Sequence, residues 1–250
     1  MNWVRRELTI NGVVKLGDRG EDAKKVQEWL CLHGYNLDFD GVFGKVTWHT
    51  VCKFQQENGI DATGDVDDAL FHILSRPMYH AVTRRFGYGD FPSTILKVAQ
   101  YHYNQRPREL SNANLGPWVR LYMKGSEDLY WCAGFATFIC KQAAIDLEME
   151  SVVSYSWRCT DMAYEAQKNG RFISGEQSNI DTKIKPGFLF LSREGKYKWS
   201  HTGIVSRVEK DIFETFEGNG SAAGSRNGNC VTNNRRGFAA HRYDFINTEV

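Results

Sequence analysis

Along the first part of the chain, apolar residues recur with the 3.6-residue period of helices. In EDAKKVQEWLCLHGY, Ala23, Val26 and Leu30 fall at i, i+3 and i+7, and Gly34 stands where a helix ends. In TWHTVCKFQQENGI, Trp48, Val51 and Phe54 follow one another at intervals of three, with Gly59 as the stop. Between them lies DFDGVFGKVT, a tight glycine-containing loop, and DATGDVDDALFHIL repeats the loop-then-helix order in shorter form. The recurrence predicts a small three-helix bundle of pseudo-repeats over residues 1–75.

The period then lapses. SRPMYHAVTRRFGYGDFPS holds two prolines and two glycines, so residues 76–92 read as a linker. A second domain is expected over 93–250. TILKVAQYHYN is amphipathic, with Ile95, Val98, Ala99 and His102 on one stripe, and SNANLGPW reads as a polar loop. CAGFATFICKQAAI is apolar on nearly every side, the mark of a buried helix, with Asp128 as its candidate cap. TDMAYEAQKNG forms a further helix ending at Gly170. Beyond it the pattern changes to strands: GFLFLSR, HTGIVSRVE, IFETFEGN and FAAHRYDFI. Helices followed by antiparallel strands predict an α+β fold.

Composition narrows the class. Of the 250 residues, 24% are charged and 42% hydrophobic, as in an ordinary globular protein. No apolar run reaches the roughly 18–20 residues of a membrane span. MNWVRRELTINGVVKLG carries two arginines but no apolar core and no cleavage site, so no signal peptide is read and the chain is expected to be made in the cytoplasm. Residues 1–75 hold 8 Lys/Arg against 12 Asp/Glu, and residues 76–250 hold 23 against 18. A mildly basic second part suits an acidic polymer but is too weak a signal for nucleic acid.

Chemistry enters with the six cysteines, Cys31, Cys52, Cys132, Cys140, Cys159 and Cys230. None forms a CxxC. His49 and Cys52 lie three apart without a second ligand pair, which argues against zinc. Cys31 and Cys52 either pair or remain thiols, Cys140 reads as core, and Cys159 and Cys230 have no assigned role. Cys132, at the head of the buried helix, is either a packed thiol or a nucleophile activated by a helix N-terminus. A nucleophile needs a base and an orienter. His201 opens one apolar strand; Glu217 and Asn219 lie near the end of the next, on one face if the strand alternates. A hairpin turning at Glu209–Asp211 brings that end beside His201. Glu217 as a glycosidase acid leaves Cys132 without a purpose. His102 reads as structural, His241 as a strand residue without a partner, Glu209 and Glu214 as solvated, and NNRRGF (233–238) as a solvated turn or a contact to an acidic polymer.

In order, WCAGF, HTGIV, ETFEGN and GSRNG resemble the CHAP branch of the NlpC/P60-like cysteine hydrolases, which cut peptidoglycan on a papain-like fold. The resemblance spans roughly 93–250. It implies Cys132 as nucleophile, His201 as base, Glu217 and Asn219 as orienters, and no metal or organic cofactor. Where that family reads PGD, this chain reads KPGF at 185–188. Over roughly 12–74, KLGDRGEDAKKVQEWLCLHGY, DGVFGKVT and VCKFQQENGI are similar to the peptidoglycan-binding three-helix module, most specifically at Asp40–Thr47. Together these imply a wall-anchored amidase or endopeptidase with peptidoglycan as partner, without nucleic acid or membrane insertion, in the manner of a modular phage endolysin. The alternatives are a secretion-delivered toxin with an immunity protein and an inactive wall-binding protein.

Overall fold

The computed structural model describes residues 1–221, 228–238 and 242–250. The chain divides into two compact units, Met1–Thr83 with Arg108–Glu127, and Arg84–Pro107 with Asp128–Val250. As the pattern predicts, the fold is α+β, with a helical first unit and an antiparallel sheet in the second.

The first unit contains α1 (Asn2–Leu8), α2 (Glu21–Leu32), α3 (Lys45–Glu57) and α4 (Asp68–Thr83). The chain leaves it for α5 (Phe91–Asn104) and returns with α6 (Pro117–Tyr122). The three predicted helices thus gain α1 and α6. Nor does the linker begin at residue 76: α4 continues to Thr83 through Pro77. Leu70, Leu74, Met78 and Ala81 keep a buried helical stripe across the proline, and their burial outweighs its missing N–H. SNANLGPW was expected to be only loop, but its end opens α6 with Pro117 in the first turn.

Residues 108–127, expected in the second domain, belong to the first unit. Arg120 sits among three carboxylates, with Nε 2.9 Å from Glu7 Oε1, Nη2 2.6 Å from Glu28 Oε2 and Nη1 2.7 Å from Glu127 Oε1. Trp118 adds an edge-on contact to Trp29, with centroids 6.2 Å apart.

The pseudo-repeat has a hydrogen-bond basis. Gln27 of α2 accepts from Gly41 N at 2.8 Å and donates to Val42 O at 3.1 Å. Gln55 of α3 accepts from Gly64 N at 2.8 Å and donates to Asp65 O at 3.1 Å. Each buried glutamine satisfies the backbone of a following loop, and both loop glycines lie at positive φ, +76° and +75°. The Asp40–Thr47 motif is therefore structural: Asp40 Oδ1 accepts from Val42 N, Phe43 is core, and Thr47 meets Gln27.

The second unit holds α5, α7 (Cys132–Asp146), α8 (Cys159–Lys168), β1 (Phe172–Ile173), α9 (Ile180–Lys183), β2 (Leu189–Gly195), β3 (Lys198–Val208), β4 (Ile212–Gly220), β5 (Cys230–Gly237) and β6 (Tyr243–Ile246). Its strands form one antiparallel sheet in the order β1-β6-β2-β3-β4-β5. Asp90 caps α5 by accepting from Ser93 N at 2.8 Å. His102 is buried against Gln142, 2.9 Å away, as a structural histidine. Phe190, Val205, Phe213, Tyr243 and Phe245 pack together as a core. Of the last predicted strand, Tyr243–Ile246 form β6, while residues 239–241, His241 among them, lie outside the described residues. NNRRGF is not a turn; Asn233–Gly237 belong to β5, paired along β4. Among the described residues no helix is long and apolar enough to cross a membrane.

Candidate active site

Cys132 is the first residue of α7, and the helix is buried along nearly its whole length. Asp128 does not cap it. Trp131 is the N-cap and supplies no side-chain cap to the helix, while Asp128 lies in the left-handed region at φ 60°. The first turn thus carries no side-chain cap, and the Ala133 N–H serves the Cys132 sulfur at the positive end of the helix dipole. Gly218 of β4 lets that end approach: a Cβ there would lie 2.4 Å from Phe135 Cβ and 3.0 Å from Trp131 Cε3.

The hairpin predicted around Glu209–Asp211 forms, with Ile204 opposite Phe216. His201 Nε2 lies 2.8 Å from Glu217 Oε2, both groups almost fully buried. Glu217 accepts there, so Nε2 carries a proton and Nδ1 is the basic nitrogen of the neutral ring. That leaves Nδ1 as the ring nitrogen for Cys132, whose hydrogen bond and charge act on His201. Gly203 makes room for the carboxylate, since a Cβ there would lie 2.8 Å from Glu217 Cγ.

Charge ties the three groups together. The Cys132 thiol is held well below its ordinary range, first by hydrogen bonding with Cys159 and then by the hydrogen bond and charge of His201, against the opposing effect of burial. For His201, burial alone lowers the value, but Cys132 and Glu217 raise it to about 9. Glu217 is pulled down to about 2 by His201 and Arg236 despite its burial. The arrangement therefore favours thiolate beside imidazolium beside carboxylate. Cys140, on the same helix, shows the contrast: burial pushes its thiol up to about 12, and it is core.

Two residues that sequence reasoning missed complete the cluster. Arg236 of β5 donates through Nε to Glu217 Oε1 and through Nη2 to Oε2, both at 2.6 Å. Its neighbour Arg235 meets Glu214 at 2.9 Å and is exposed. Alternation carried the signal: once NNRRGF is a strand, one of two adjacent arginines must face inward. The second is Cys159, first residue of α8, whose Sγ lies 3.8 Å from that of Cys132. No spacing rule connects positions 27 residues apart, and only packing shows the pair.

Asn219 stands two residues beyond Glu217, but the alternation expected to align them is interrupted. Its φ is 54°, and the β4–β5 register shifts between Glu217 and Gly220. Its Nδ2 donates to Gly228 O at 2.7 Å, joining the ends of β4 and β5. Of the GSRNG motif (224–228), residues 224–227 lie outside the described residues. All six cysteines are free thiols, so Cys31 and Cys52 do not pair. Among the described residues no group of three or more His, Cys, Asp or Glu has the arrangement of a metal site.

Residues 19–74 match the peptidoglycan binding domain family. A peptidoglycan-binding protein from Clostridioides difficile, solved in complex with glutamine hydroxamate, is 36% identical over 28% of this chain and 46% of its own, with a TM-score of 0.27. A fused Zn-dependent amidase/peptidase/peptidoglycan-binding domain-containing protein from Clostridium acetobutylicum is 39% identical over 25% of this chain and 28% of its own, with a TM-score of 0.25. The endolysin of Burkholderia phage AP3 is 27% identical over 36% of each chain, with a TM-score of 0.25. This chain spans less than half the length of each of these proteins.

Proposed function

We propose that the protein is a cysteine-dependent peptidoglycan hydrolase that cuts an amide bond of the stem peptide, either at N-acetylmuramoyl-L-alanine or within the peptide. The observation that carries this reading is the 2.8 Å bond from His201 to Glu217, with Cys132 lowered in pKa at a helix N-terminus beside them. In the reaction the Cys132 thiolate attacks the amide carbonyl, forming a carbon–sulfur bond and placing the negative charge on oxygen. The uncapped first-turn N–H groups of α7 are suited to stabilise that oxyanion. Collapse breaks the carbon–nitrogen bond as His201 Nδ1–H gives its proton to the leaving amine. Water then attacks the thioester with Nδ1 as base, releasing the acid and the thiolate. Glu217 keeps the ring oriented throughout, while Asn219 acts by holding the strand end that carries Glu217.

The first unit binds the insoluble wall and raises the effective concentration of the tethered site. The setting we propose is wall lysis in the manner of a modular phage endolysin, a reading supported by the pairing of this binding domain with the thiol site. Mass spectrometry of digested peptidoglycan, with Cys132→Ala beside the parent, tests it. Stem peptides released from intact glycan identify an amidase, and cleaved stems still attached identify an endopeptidase, each absent in the variant. A Cys132→Ala protein as active as its parent overturns the reading.

A further inference from the structure

Cys159 takes no bond-making or proton-transfer step in the reaction above and acts on Cys132 only through its hydrogen bond, yet it is the residue nearest in kind to the nucleophile. Both cysteines occupy the first position of a helix, Cys132 in α7 and Cys159 in α8, so two positive helix ends converge on two sulfurs 3.8 Å apart. A disulfide bond of about 2.05 Å is reached by moving the sulfurs about 2 Å together, within the range of side-chain rotation at helix ends. The other thiols are placed differently: Cys140 lies deep in α7 and Cys230 faces the Gly220 carbonyl. Cys31 and Cys52 belong to the first unit.

We infer that Cys132 and Cys159 form a reversible dithiol–disulfide couple, a modification site on the candidate nucleophile that a peroxide-class oxidant closes. The steps balance without any further reactant. The Cys132 sulfur attacks one peroxide oxygen; a sulfur–oxygen bond forms, the oxygen–oxygen bond breaks, and hydroxide leaves to become water on taking a proton. The Cys159 sulfur then attacks the Cys132 sulfur; the sulfur–sulfur bond forms, the sulfur–oxygen bond breaks, and a second water leaves with the Cys159 proton. The two sulfurs together lose two electrons, which the peroxide gains. That Cys132 is the thiolate and Cys159 keeps its proton suits this order of attack. A dithiol reductant reopens the bond. Cys159 thereby protects Cys132 from the higher oxidation states that no thiol reverses. The accompanying loss of hydrolysis rests on the function proposed above; the bond itself does not.

The test treats the full-length protein with hydrogen peroxide, blocks free thiols with N-ethylmaleimide, and maps the peptides by mass spectrometry. In the parent the peptides of Cys132 and Cys159 are expected to be joined and two hydrogen masses lighter than their sum, and dithiothreitol added before any blocking is expected to restore the starting mass and the wall-clearing activity. In Cys159→Ser and Cys159→Ala, checked for folding by circular dichroism, Cys132 is expected to become two oxygens heavier and to stay so under dithiothreitol. No joined peptide in the parent, with Cys132 oxygenated as fast as in the variants, overturns the inference. A joined peptide that leaves wall clearing untouched upholds the couple and overturns the assignment of Cys132 as nucleophile.

Discussion

Arg236 grips both oxygens of Glu217, and one of those oxygens also receives the Nε2 proton of His201. A buried carboxylate with one cationic neighbour still has lone pairs to satisfy. Here the guanidinium fork and Thr215 Oγ1, 2.5 Å away, meet the rest of that demand. Glu217 thus stays ionised and its orientation is set by strand β5. The arginine also lies over the face of Phe190, 4.9 Å from the ring centroid, so it has little freedom to turn away.

Arg236→Met is expected to lower stability by about 3–5 kcal/mol in chemical denaturation, because it leaves a buried carboxylate short of its partner. Wall hydrolysis is expected to fall by on the order of 10²-fold as the base loses its fixed orientation. Arg236→Lys should recover part of both losses, since it restores the charge without the fork. Unchanged hydrolysis in a folded Arg236→Met protein would show that Glu217 needs no such support.

The pH profile follows from the same groups. Hydrolysis should begin well below the ordinary thiol range, since Cys132 is lowered, and fall as pH rises past about 9, where His201 loses the proton that the leaving amine requires. Stability carries its own signs. Glu217 falls from the ordinary 4.5 to about 2, so its contribution is present above 4.5 and lost as pH drops through about 2. His201 rises from 6.5 to about 9, so its contribution is present below 6.5 and lost as pH rises through about 9. Denaturation midpoints measured across pH should show a smaller acid loss in Glu217→Gln than in the parent, the remainder coming from other lowered carboxylates such as Asp22 and Asp90.

Gly218→Ala places a Cβ 2.4 Å from Phe135 Cβ, where the rigid start of α7 cannot give way cheaply. A loss of about 1–3 kcal/mol is expected, with a fall in hydrolysis as Cys132 is displaced from His201. Gly195→Ala serves as control, because no atom lies within 4 Å of the added carbon. Equal thermal midpoints for the two variants would count against close packing of α7 on β4.

In the first unit, Gln27→Leu and Gln55→Leu each orphan a loop glycine N–H and the carbonyl that follows. Each is expected to cost about 1–3 kcal/mol, of similar size because the two hydrogen-bond patterns are alike. Sedimentation with insoluble peptidoglycan should show weakened binding on warming for both variants, with the parent still bound. A large effect at one glutamine and none at the other would mean that the repeat is only one of sequence.

Much of this architecture was legible because its signals are local. Apolar residues at helical intervals marked α2, α3 and α5, a run apolar on nearly every side marked α7, and the change to strand pattern marked β2, β3 and β4. The hairpin turning at Glu209–Asp211 followed from two strands separated by a short polar stretch, and it placed Glu217 near His201. Where Pro77 competed with the stripe of Leu70, Leu74, Met78 and Ala81, the sequence reading followed the proline and ended the helix too early. Strand β5 was hidden for a related reason: CVTNNRRG has few apolar residues, since its inward positions include Asn234 and Arg236.

By itself, then, the sequence determined the helix-then-strand order, the buried helix that begins at Cys132, and the hairpin that pairs His201 with Glu217. Each depends on periodicity or on neighbours close along the chain. The tertiary structure alone decided that Arg236 holds Glu217, that Arg120 gathers three carboxylates into the first unit, and that Cys159 meets Cys132. Arg236 and Glu217 lie 19 residues apart and Cys159 and Cys132 lie 27 apart, while Arg120 is 113 and 92 residues from Glu7 and Glu28, with Glu127 alone nearby at 7. No local pattern specifies such distances. They follow from how buried surfaces close, and a buried charge or thiol takes as its partner whatever group that closure brings within reach.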